Sequence, residues 1–281
     1  METCMKTASI IIRTKNESRS LGATLAGIFD QDLAPHEVFV VDSGSRDETL
    51  EIAARYPAVQ IMHISPREWN YSRAINIAAE RATGEFLVCL SAHCPPVHRD
   101  WLRLLLSHLD DETVAAVWGP NISPGKSLPA GDPIRQEPGT YGVSNRRFGL
   151  VNSNSAVRRA LWLEFRFDES LPATEDKAWA MEAMRRGYSI VHDPYTAVWH
   201  ERHPAVNSFH RMRAIQAGYA ALFPELHDDR DNPVKTLIFG SARKLRHLVV
   251  ERDLKKFLHE LRTAPPTIGA ILGKFFGLRR R

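Results

Sequence analysis

The first ninety residues alternate short apolar runs with segments in which apolar positions recur every three or four residues. The apolar runs are typical of strands that are covered on both faces, and they occupy residues 8–14, 38–41, 59–64 and 85–90. The intervening segments are typical of amphipathic helices, as in the apolar face formed by Leu21, Leu25, Ile28 and Phe29. This βαβαβαβ order predicts an α/β fold with a mostly parallel sheet and helices on both faces.

The ends of the second and third predicted helices carry terminal signals. Residues 45–48 match a capping box before a helix that continues to Tyr56. The third helix has Ile75 and Ala82 on its apolar face, and Gly84 is expected to end it.

The second half of the chain is less regular. A helix is predicted at 100–109 and a strand at 114–119, after which residues 120–139 contain eight Pro or Gly. We expect this segment to run over the surface, as functional or disordered loops do. The elements predicted beyond it are an ordered segment at 147–157, a helix near 158–163, a helix at 174–186 closed by Gly187, and strands at 188–191 and 197–200.

The composition is that of an ordinary globular protein. The chain has 281 residues, 43% hydrophobic and 25% charged, which argues against disordered, collagen-like and coiled-coil classes. Its three cysteines, Cys4, Cys89 and Cys94, cannot form a disulfide framework and indicate a reducing compartment. No run of eighteen apolar residues is present, and charge appears early in the chain, so we expect a cytoplasmic protein without a signal peptide.

The net charge of +4 is concentrated at the end of the chain. Residues 235–281 contain twelve Lys or Arg and three Asp or Glu, whereas the remainder is mildly acidic. This distribution argues against nucleic acid as a partner. We expect a domain at 1–205 and a basic helical C-terminal extension at 206–281. Residues 267–281 either lie on an anionic membrane surface, at the inner face of the cell membrane, or pack on the domain.

Polar residues follow three of the predicted strands. Because parallel sheets bind ligands beyond the carboxyl ends of their strands, these residues are candidates for a binding site. They are Arg13, Thr14, Lys15, Asn16 and Glu17, then Asp42, Ser43, Gly44 and Ser45, and then Ser91, Ala92 and His93. Asp42 either accepts hydrogen bonds from a ribose or base edge or caps the next helix.

The usual phosphate-binding loops are missing from the sequence. There is no G-x-G-x-x-G after the first strand and no G-x-x-x-x-G-K-[ST], so a nucleotide must be held in another way. Arg73 and Asn76 are three positions apart at the start of the third helix and share one face. They are either nucleotide contacts, with the arginine on a base or phosphate, or a solvated surface pair.

An acidic pair, Glu175 and Asp176, follows Thr174 at the start of a predicted helix. Thr174 suits a helix N-cap, and the helix dipole stabilises carboxylates in the first turn. Alternatively, one carboxylate is a general base that takes a proton from an alcohol.

Three histidines are candidate metal ligands. His93, His200 and His203 either converge on one cation or are polar surface residues. Imidazole ligands favour manganese or another transition metal over magnesium.

Several segments together resemble the family 2 glycosyltransferases, which have the GT-A fold. The resemblance runs from about residue 8 to residue 203, in the segments SIIIRTKNES, VFVVDSGSRDETLEIA, NYSRAINIAAERATGEFLVCLSAH, ATEDKAWAMEAMRRGYSIVHDP and AVWHERH. It implies transfer of a sugar from a nucleotide-diphosphate donor with inversion at the anomeric carbon. It further implies that Thr14, Glu17, Asp42 and Arg73 contact the nucleotide and that Asp176 deprotonates the acceptor hydroxyl.

The chain departs from the family at the metal-binding motif. Where the family carries an Asp-x-Asp type motif that holds Mn or Mg on the diphosphate, this chain has Ser91-Ala92-His93. Magnesium prefers hard oxygen ligands, so we expect weaker binding through this motif alone. Either His93 compensates together with His200 or His203, or cationic side chains replace the metal.

The sequence therefore predicts one polar cleft in a GT-A domain. The candidate donor-binding residues are Arg13, Thr14, Glu17, Asp42, Ser43, Arg73, Asn76, Ser91, His93 and Glu175, with Asp176 as the catalytic base. By family analogy the acceptor is a glycan or a lipid-linked molecule, and the reaction belongs to bacterial surface polysaccharide or glycolipid assembly. Two alternatives are a nucleotidyltransferase of similar fold and a noncatalytic nucleotide-sugar-binding protein.

Overall fold

The structure, a computed structural model, describes residues 6–140, 149–200 and 208–223. The strands within these ranges are β1 Ala8–Thr14, β2 Glu37–Asp42, β3 Val59–His63, β4 Phe86–Ser91, β5 Val114–Trp118, β6 Asn121–Ile122, β7 Ile134–Gln136, β8 Asn154–Arg158, β9 Ser189–His192 and β10 Val198–Trp199. The α-helices are α1 Leu21–Phe29, α2 Thr49–Ala54, α3 Tyr71–Ala79, α4 Trp101–Ser107, α5 Arg159–Glu164, α6 Glu175–Arg185 and α7 Ser208–Leu222.

The main sheet has eight strands in the order β3-β2-β1-β4-β8-β5-β9-β7. Strands β1 to β4 are parallel, and β5 and β9 run in the same direction. Strands β8 and β7 are antiparallel to their neighbours. The mostly parallel sheet predicted from the sequence is thus confirmed, with two reversed strands that the pattern did not predict.

The sheet separates two apolar layers. Ile10 and Ile12 of β1 pack in one layer with buried residues of α1 and α4, whereas Ile11 packs in the other layer with residues of α3 and α6. Alternate residues of a strand point to opposite faces, which explains why the run is continuously apolar. Each fully buried aliphatic side chain contributes about 1.5–3 kcal/mol. Helices therefore cover both faces, as predicted.

One local prediction is wrong, and one is confirmed only in part. The capping box at 45–48 does not form, because the Ser45 hydroxyl donates to Asp42 instead. Helix α2 begins at Thr49, whose backbone N–H donates to the Asp47 carboxylate over 3.1 Å. The Pro and Gly-rich segment 120–139 is largely exposed, yet it contains β6 and β7, and β7 forms one edge of the main sheet.

One compact unit contains residues 1–203 together with 211–222. A second unit, 204–210 with 223–281, falls almost wholly outside the described residues. The predicted boundary at 205 and the basic extension at 206–281 therefore remain predictions. Among the helices of the described ranges, none has the length and apolar character required to cross a bilayer.

Candidate active site

The carboxyl ends of the central strands meet at one edge of the sheet. Thr14 of β1 lies opposite Asp42 of β2, and Arg13 lies opposite Ser91 of β4. The three polar clusters predicted from the sequence are therefore neighbours. The Thr14 hydroxyl is buried and has no hydrogen-bond partner within the described ranges. Ser43 begins the loop after β2, and its N–H donates to the Thr14 carbonyl over 3.1 Å.

Asp42 shapes the loop that follows it. Its buried carboxylate accepts the backbone N–H of Gly44 over 2.9 Å and that of Ser45 over 3.1 Å. Gly44 has a φ of +88°, a left-handed conformation that glycine adopts without a Cβ clash. The carboxylate thus has a structural role in this turn, and its contact with a nucleotide remains a prediction.

Helix α3 places the Arg73 and Asn76 pair in two different environments. The Arg73 guanidinium is 42% exposed and lies 3.4 Å from Glu169 and 3.5 Å from Glu68. Asn76 is buried, and its amide donates to the Phe167 carbonyl over 2.9 Å and accepts from the Trp162 indole over 3.1 Å. These contacts favour a structural role for Asn76, and donor binding by either residue remains a prediction.

Arg13 connects the end of β1 to the first turn of α6. Its guanidinium lies 3.2 Å from the Glu175 carboxylate and 3.3 Å from the Asn152 carbonyl oxygen. Burial and the neighbouring Asp176 raise the pKa of Glu175, whereas the charge on Arg13 acts in the opposite direction. Glu175 therefore ties the helix to the sheet from inside the protein.

Asp176 lies at the same edge of the sheet and is only partly buried. Its carboxylate accepts the backbone N–H of Asn152 over 3.2 Å and that of Lys177 over 2.8 Å. Ser153 follows Asn152 in the chain, and its carbonyl oxygen accepts the backbone N–H of Ser91 over 3.1 Å. The structure thus brings Arg13, Ser91, Glu175 and Asp176 together, and their roles in the site remain predictions.

Asn152 and Lys177 are site residues that the sequence did not reveal. The buried Lys177 ammonium donates to the Leu150 carbonyl over 2.7 Å, and burial lowers the pKa of Lys177. Asn152 lies outside the segments that carry the family resemblance, and Lys177 lies within one of them but is not a residue to which the resemblance gives a role. Only the pairing of β8 with β4 could have identified Asn152, because that pairing carries residue 152 to the strand ends.

A cluster of nitrogen and sulfur donors surrounds His93. The His93 and His200 rings are 4.8 Å apart between centroids. The donor atoms of His93, Cys94 and His200 all lie within 4.8 Å of one another, a grouping that could hold a metal ion. The cysteine was not predicted as a ligand, and His203 lies outside the described residues.

This donor set fits some divalent cations better than others. Two imidazoles and a thiol suit Zn²⁺ or Co²⁺, whereas Mg²⁺ prefers oxygen ligands and Mn²⁺ binds best when oxygens complete the set. The predicted preference for a transition metal over magnesium is consistent with this chemistry. Burial raises the pKa of the Cys94 thiol to about 12, so the thiol keeps its proton at neutral pH.

A cleft of about 330 Å³ adjoins His93. Its apolar walls include Pro95, Pro124 and Trp199, and Arg19 adds a positive charge. A polar site at the carboxyl ends of a mostly parallel sheet, beside a cleft of this kind, is typical of nucleotide-dependent α/β enzymes.

Comparison with known proteins specifies the class further. Residues 9–161 match the model for glycosyl transferase family 2, and the chain belongs to this family. It is 25% identical over 211 residues to the O-antigen chain rhamnosyltransferase RfbN of Salmonella typhimurium, which covers 68% of this chain and 65% of that protein. The chain thus spans slightly less than two thirds of this relative. The family predicted from the sequence is confirmed.

Two solved structures share the fold. The mannosyltransferase PcManGT from Pyrobaculum calidifontis, in complex with GDP-Man and Mn²⁺, has a TM-score of 0.62 at 22% identity, over 98% of this chain and 81% of that one. The S. aureus TarS fragment in complex with UDP has a TM-score of 0.58 at 20% identity, over 77% of this chain and 66% of that one. The predicted GT-A fold is confirmed.

Proposed function

We propose that the protein is an inverting glycosyltransferase that transfers a sugar from a nucleotide-diphosphate donor to an acceptor hydroxyl, in the assembly of a surface polysaccharide or glycolipid. Family membership supports the reaction class, and the similarity to an O-antigen chain rhamnosyltransferase supports the kind of product. The observation that carries the proposal is the position of Asp176. It is hydrogen-bonded through Asn152 to the sheet edge where β1 and β4 end.

In this proposal Asp176 is the general base. Its carboxylate takes the proton of the acceptor hydroxyl as that oxygen attacks the anomeric carbon. The bond from the anomeric carbon to the diphosphate breaks on the opposite side, and its electron pair leaves with the nucleoside diphosphate. One in-line displacement with no covalent intermediate inverts the configuration. The bonds from Asn152 and Lys177 hold the carboxylate for this attack.

The donor would lie across the strand ends, with its nucleotide near Asp42 and its diphosphate near Ser91 and His93. A divalent cation held by His93 and His200 would stabilise negative charge on the leaving diphosphate. The presence of UDP in the TarS structure, and of GDP-Man with Mn²⁺ in the PcManGT structure, supports this arrangement by analogy. The contributions of Thr14, Ser43 and Arg73 to donor binding belong to the same proposal.

We also propose that the protein works at the inner face of the cell membrane on a glycan or lipid-linked acceptor. The support is compositional, since residues 267–281 combine apolar side chains with Lys274 and three terminal arginines. This segment lies outside the described residues. Cosedimentation with anionic vesicles should fall when residues 267–281 are deleted, and unchanged cosedimentation would reject this part.

The Asp176→Asn variant tests the reaction. We expect sugar transfer to fall about 10²–10⁴-fold while donor affinity, measured by calorimetry, stays within a few fold of wild type. Asp32→Asn is the matched control, because Asp32 follows the far end of α1 and is exposed. Donors to test include UDP-GlcNAc, GDP-mannose and a nucleotide-diphosphate rhamnose. A noncatalytic binding protein would bind a donor without turnover, and a nucleotidyltransferase would consume a nucleoside triphosphate.

A further inference from the structure

Glu17 and His93 form a paired unit within the site. The His93 Nδ1 atom lies 2.9 Å from Glu17 Oε1, and the two side chains are only 12% and 10% exposed. Glu17 comes from the loop after β1, and His93 from the turn after β4. The pair therefore joins two loops at the edge where the candidate donor site lies.

Backbone hydrogen bonds fix the two loop segments that carry Glu17 and His93. The Glu17 N–H donates to the Thr49 hydroxyl over 2.8 Å, and the Glu17 carbonyl accepts the N–H of Leu21 at the start of α1 over 2.9 Å. The turn that carries His93 is closed by the Cys94 N–H, which donates to the Ser91 carbonyl over 3.0 Å. The carboxylate and the imidazole are thus set in place before any ligand binds.

The hydrogen bond determines which imidazole nitrogen can bind a cation. A carboxylate that accepts from Nδ1–H fixes the neutral tautomer in which Nε2 carries the lone pair. Histidines that bind metals usually donate their other ring N–H to a carboxylate or carbonyl in this way, which orients the ring and raises its basicity. The His200 ring is packed edge to face at 4.8 Å and supplies a second imidazole.

We infer that Glu17 is a positioning residue for a divalent transition metal, acting through His93. This reassigns Glu17 from the direct nucleotide contact that the family resemblance implies. The strand-end motif Ser91-Ala92-His93 contains no carboxylate, and Glu17 supplies one from the neighbouring loop without itself binding the cation. The inference rests on the proposed function for the location of the diphosphate, but the metal affinity can be measured without a donor.

The test compares wild type with Glu17→Gln and Glu17→Ala. Glutamine can still accept from Nδ1–H but has no charge, whereas alanine removes the acceptor. We expect Mn²⁺ affinity, measured by electron paramagnetic resonance, to fall about 10- to 100-fold in Glu17→Ala and by less in Glu17→Gln. The visible spectrum of bound Co²⁺ should change in the same order. Glu48→Gln, an exposed carboxylate in the loop before α2, is the matched control.

A second readout follows the tautomer of His93. Nitrogen-15 NMR should assign the proton of the wild-type ring to Nδ1 and show a mixture of tautomers in Glu17→Ala. Unchanged Mn²⁺ affinity in Glu17→Ala would overturn the inference, as would a wild-type protein that binds neither Mn²⁺ nor Co²⁺. The inference would also fail if Glu17→Gln lost affinity for UDP and GDP in EDTA while Mn²⁺ affinity was unaffected.

The two proposals can fail separately. If sugar transfer persists in EDTA and the wild type binds no metal, the metal inference fails and the proposed reaction stands. If no donor is turned over but Mn²⁺ affinity still depends on Glu17, the reaction fails and the positioning role stands.

Discussion

Arg13 and Glu175 form an ion pair of 3.2 Å across 162 positions of sequence. The side chains are 12% and 6% exposed, so both charges are largely removed from water. The pair connects β1 to the helix that carries Asp176. A buried pair of this kind is weak support for net stability, but removing one partner leaves an uncompensated charge. Replacing only one residue of the ion pair should therefore have a larger effect on stability than replacing both.

Glu175→Gln should destabilise the protein by about 3–5 kcal/mol, because the buried Arg13 then loses the carboxylate with which it pairs. Urea denaturation measures this change. The double variant Arg13→Met with Glu175→Gln should recover part of the loss. Asp32→Asn breaks an exposed pair with Arg99 and should cost less than about 1 kcal/mol. Equal effects of Glu175→Gln and Asp32→Asn would contradict the buried role of Glu175.

Lys177 should contribute to the pH dependence of stability on the alkaline side. Burial lowers its pKa from 10.5, so between the folded and unfolded pKa values the unfolded chain binds more protons. The cost of burying the charge is present at low pH and is relieved as the pH rises towards 10.5. Lys177→Met should flatten this rise, measured by denaturation between neutral pH and pH ~10.5. A slope identical to that of wild type would contradict a buried ammonium at this position.

Asp193 should contribute to the pH dependence of folding stability at acid pH. Burial opposes its ionisation, but bonds from His108 Nε2 and the Tyr195 N–H, each 2.8 Å long, hold the pKa below its usual 3.8. Its stabilising contribution is present above pH 3.8 and is lost as the pH falls through the lower folded pKa. Asp193→Asn should flatten the acid limb of stability, followed by thermal unfolding between pH 2 and pH 6. The same acid limb in both proteins would contradict the prediction.

The sequence predicted the elements whose pattern lies within a few consecutive residues, and it missed those that depend on contacts between distant parts of the chain. The runs that became β1 and β4 are apolar on both faces, and this property is visible in a few consecutive residues. The reversed strand β8 and the edge strand β7 depend on pairing with distant strands, which no local pattern contains. The helix N-caps were predicted least well, because the Ser45 and Thr174 hydroxyls form hydrogen bonds with Asp42 and Ala173 instead. The predicted end of α6 before Gly187 is confirmed.

The candidate site shows the same division. Asp42, His93 and Asp176 were identifiable because each follows an apolar strand or begins a helix. Asn152 and Lys177 were not, because their contacts with Asp176 and Leu150 arise only when the segment before β8 packs against the first turn of α6. Thr174 was predicted as an N-cap, but it has a φ of 70° and its hydroxyl donates to the Ala173 carbonyl rather than capping α6. Thr174 is therefore the N-cap residue by position, as predicted, but the chain enters α6 in a left-handed conformation and the side-chain cap does not form.

Gly119 should be the most restrictive glycine for the position of β10. A Cβ at this residue would collide with the Thr196 carbonyl and hydroxyl and lie 2.7 Å from the Asn154 amide nitrogen. Gly119→Ala should therefore destabilise the protein by about 1–3 kcal/mol, because the Thr196 backbone would have to shift to admit the methyl group.

The matched variant is Gly22→Ala in α1, whose Cβ would lie 3.6 Å from Ile52. It should stabilise the protein by about 0.5–1 kcal/mol, because alanine loses less backbone entropy in a helix. Thermal unfolding measures both changes. The turn at Thr196 leads into β10 and then His200, so Gly119→Ala should also weaken Mn²⁺ binding, whereas Gly22→Ala should leave it unchanged. Normal stability and Mn²⁺ affinity in Gly119→Ala would show that β10 does not depend on this close approach.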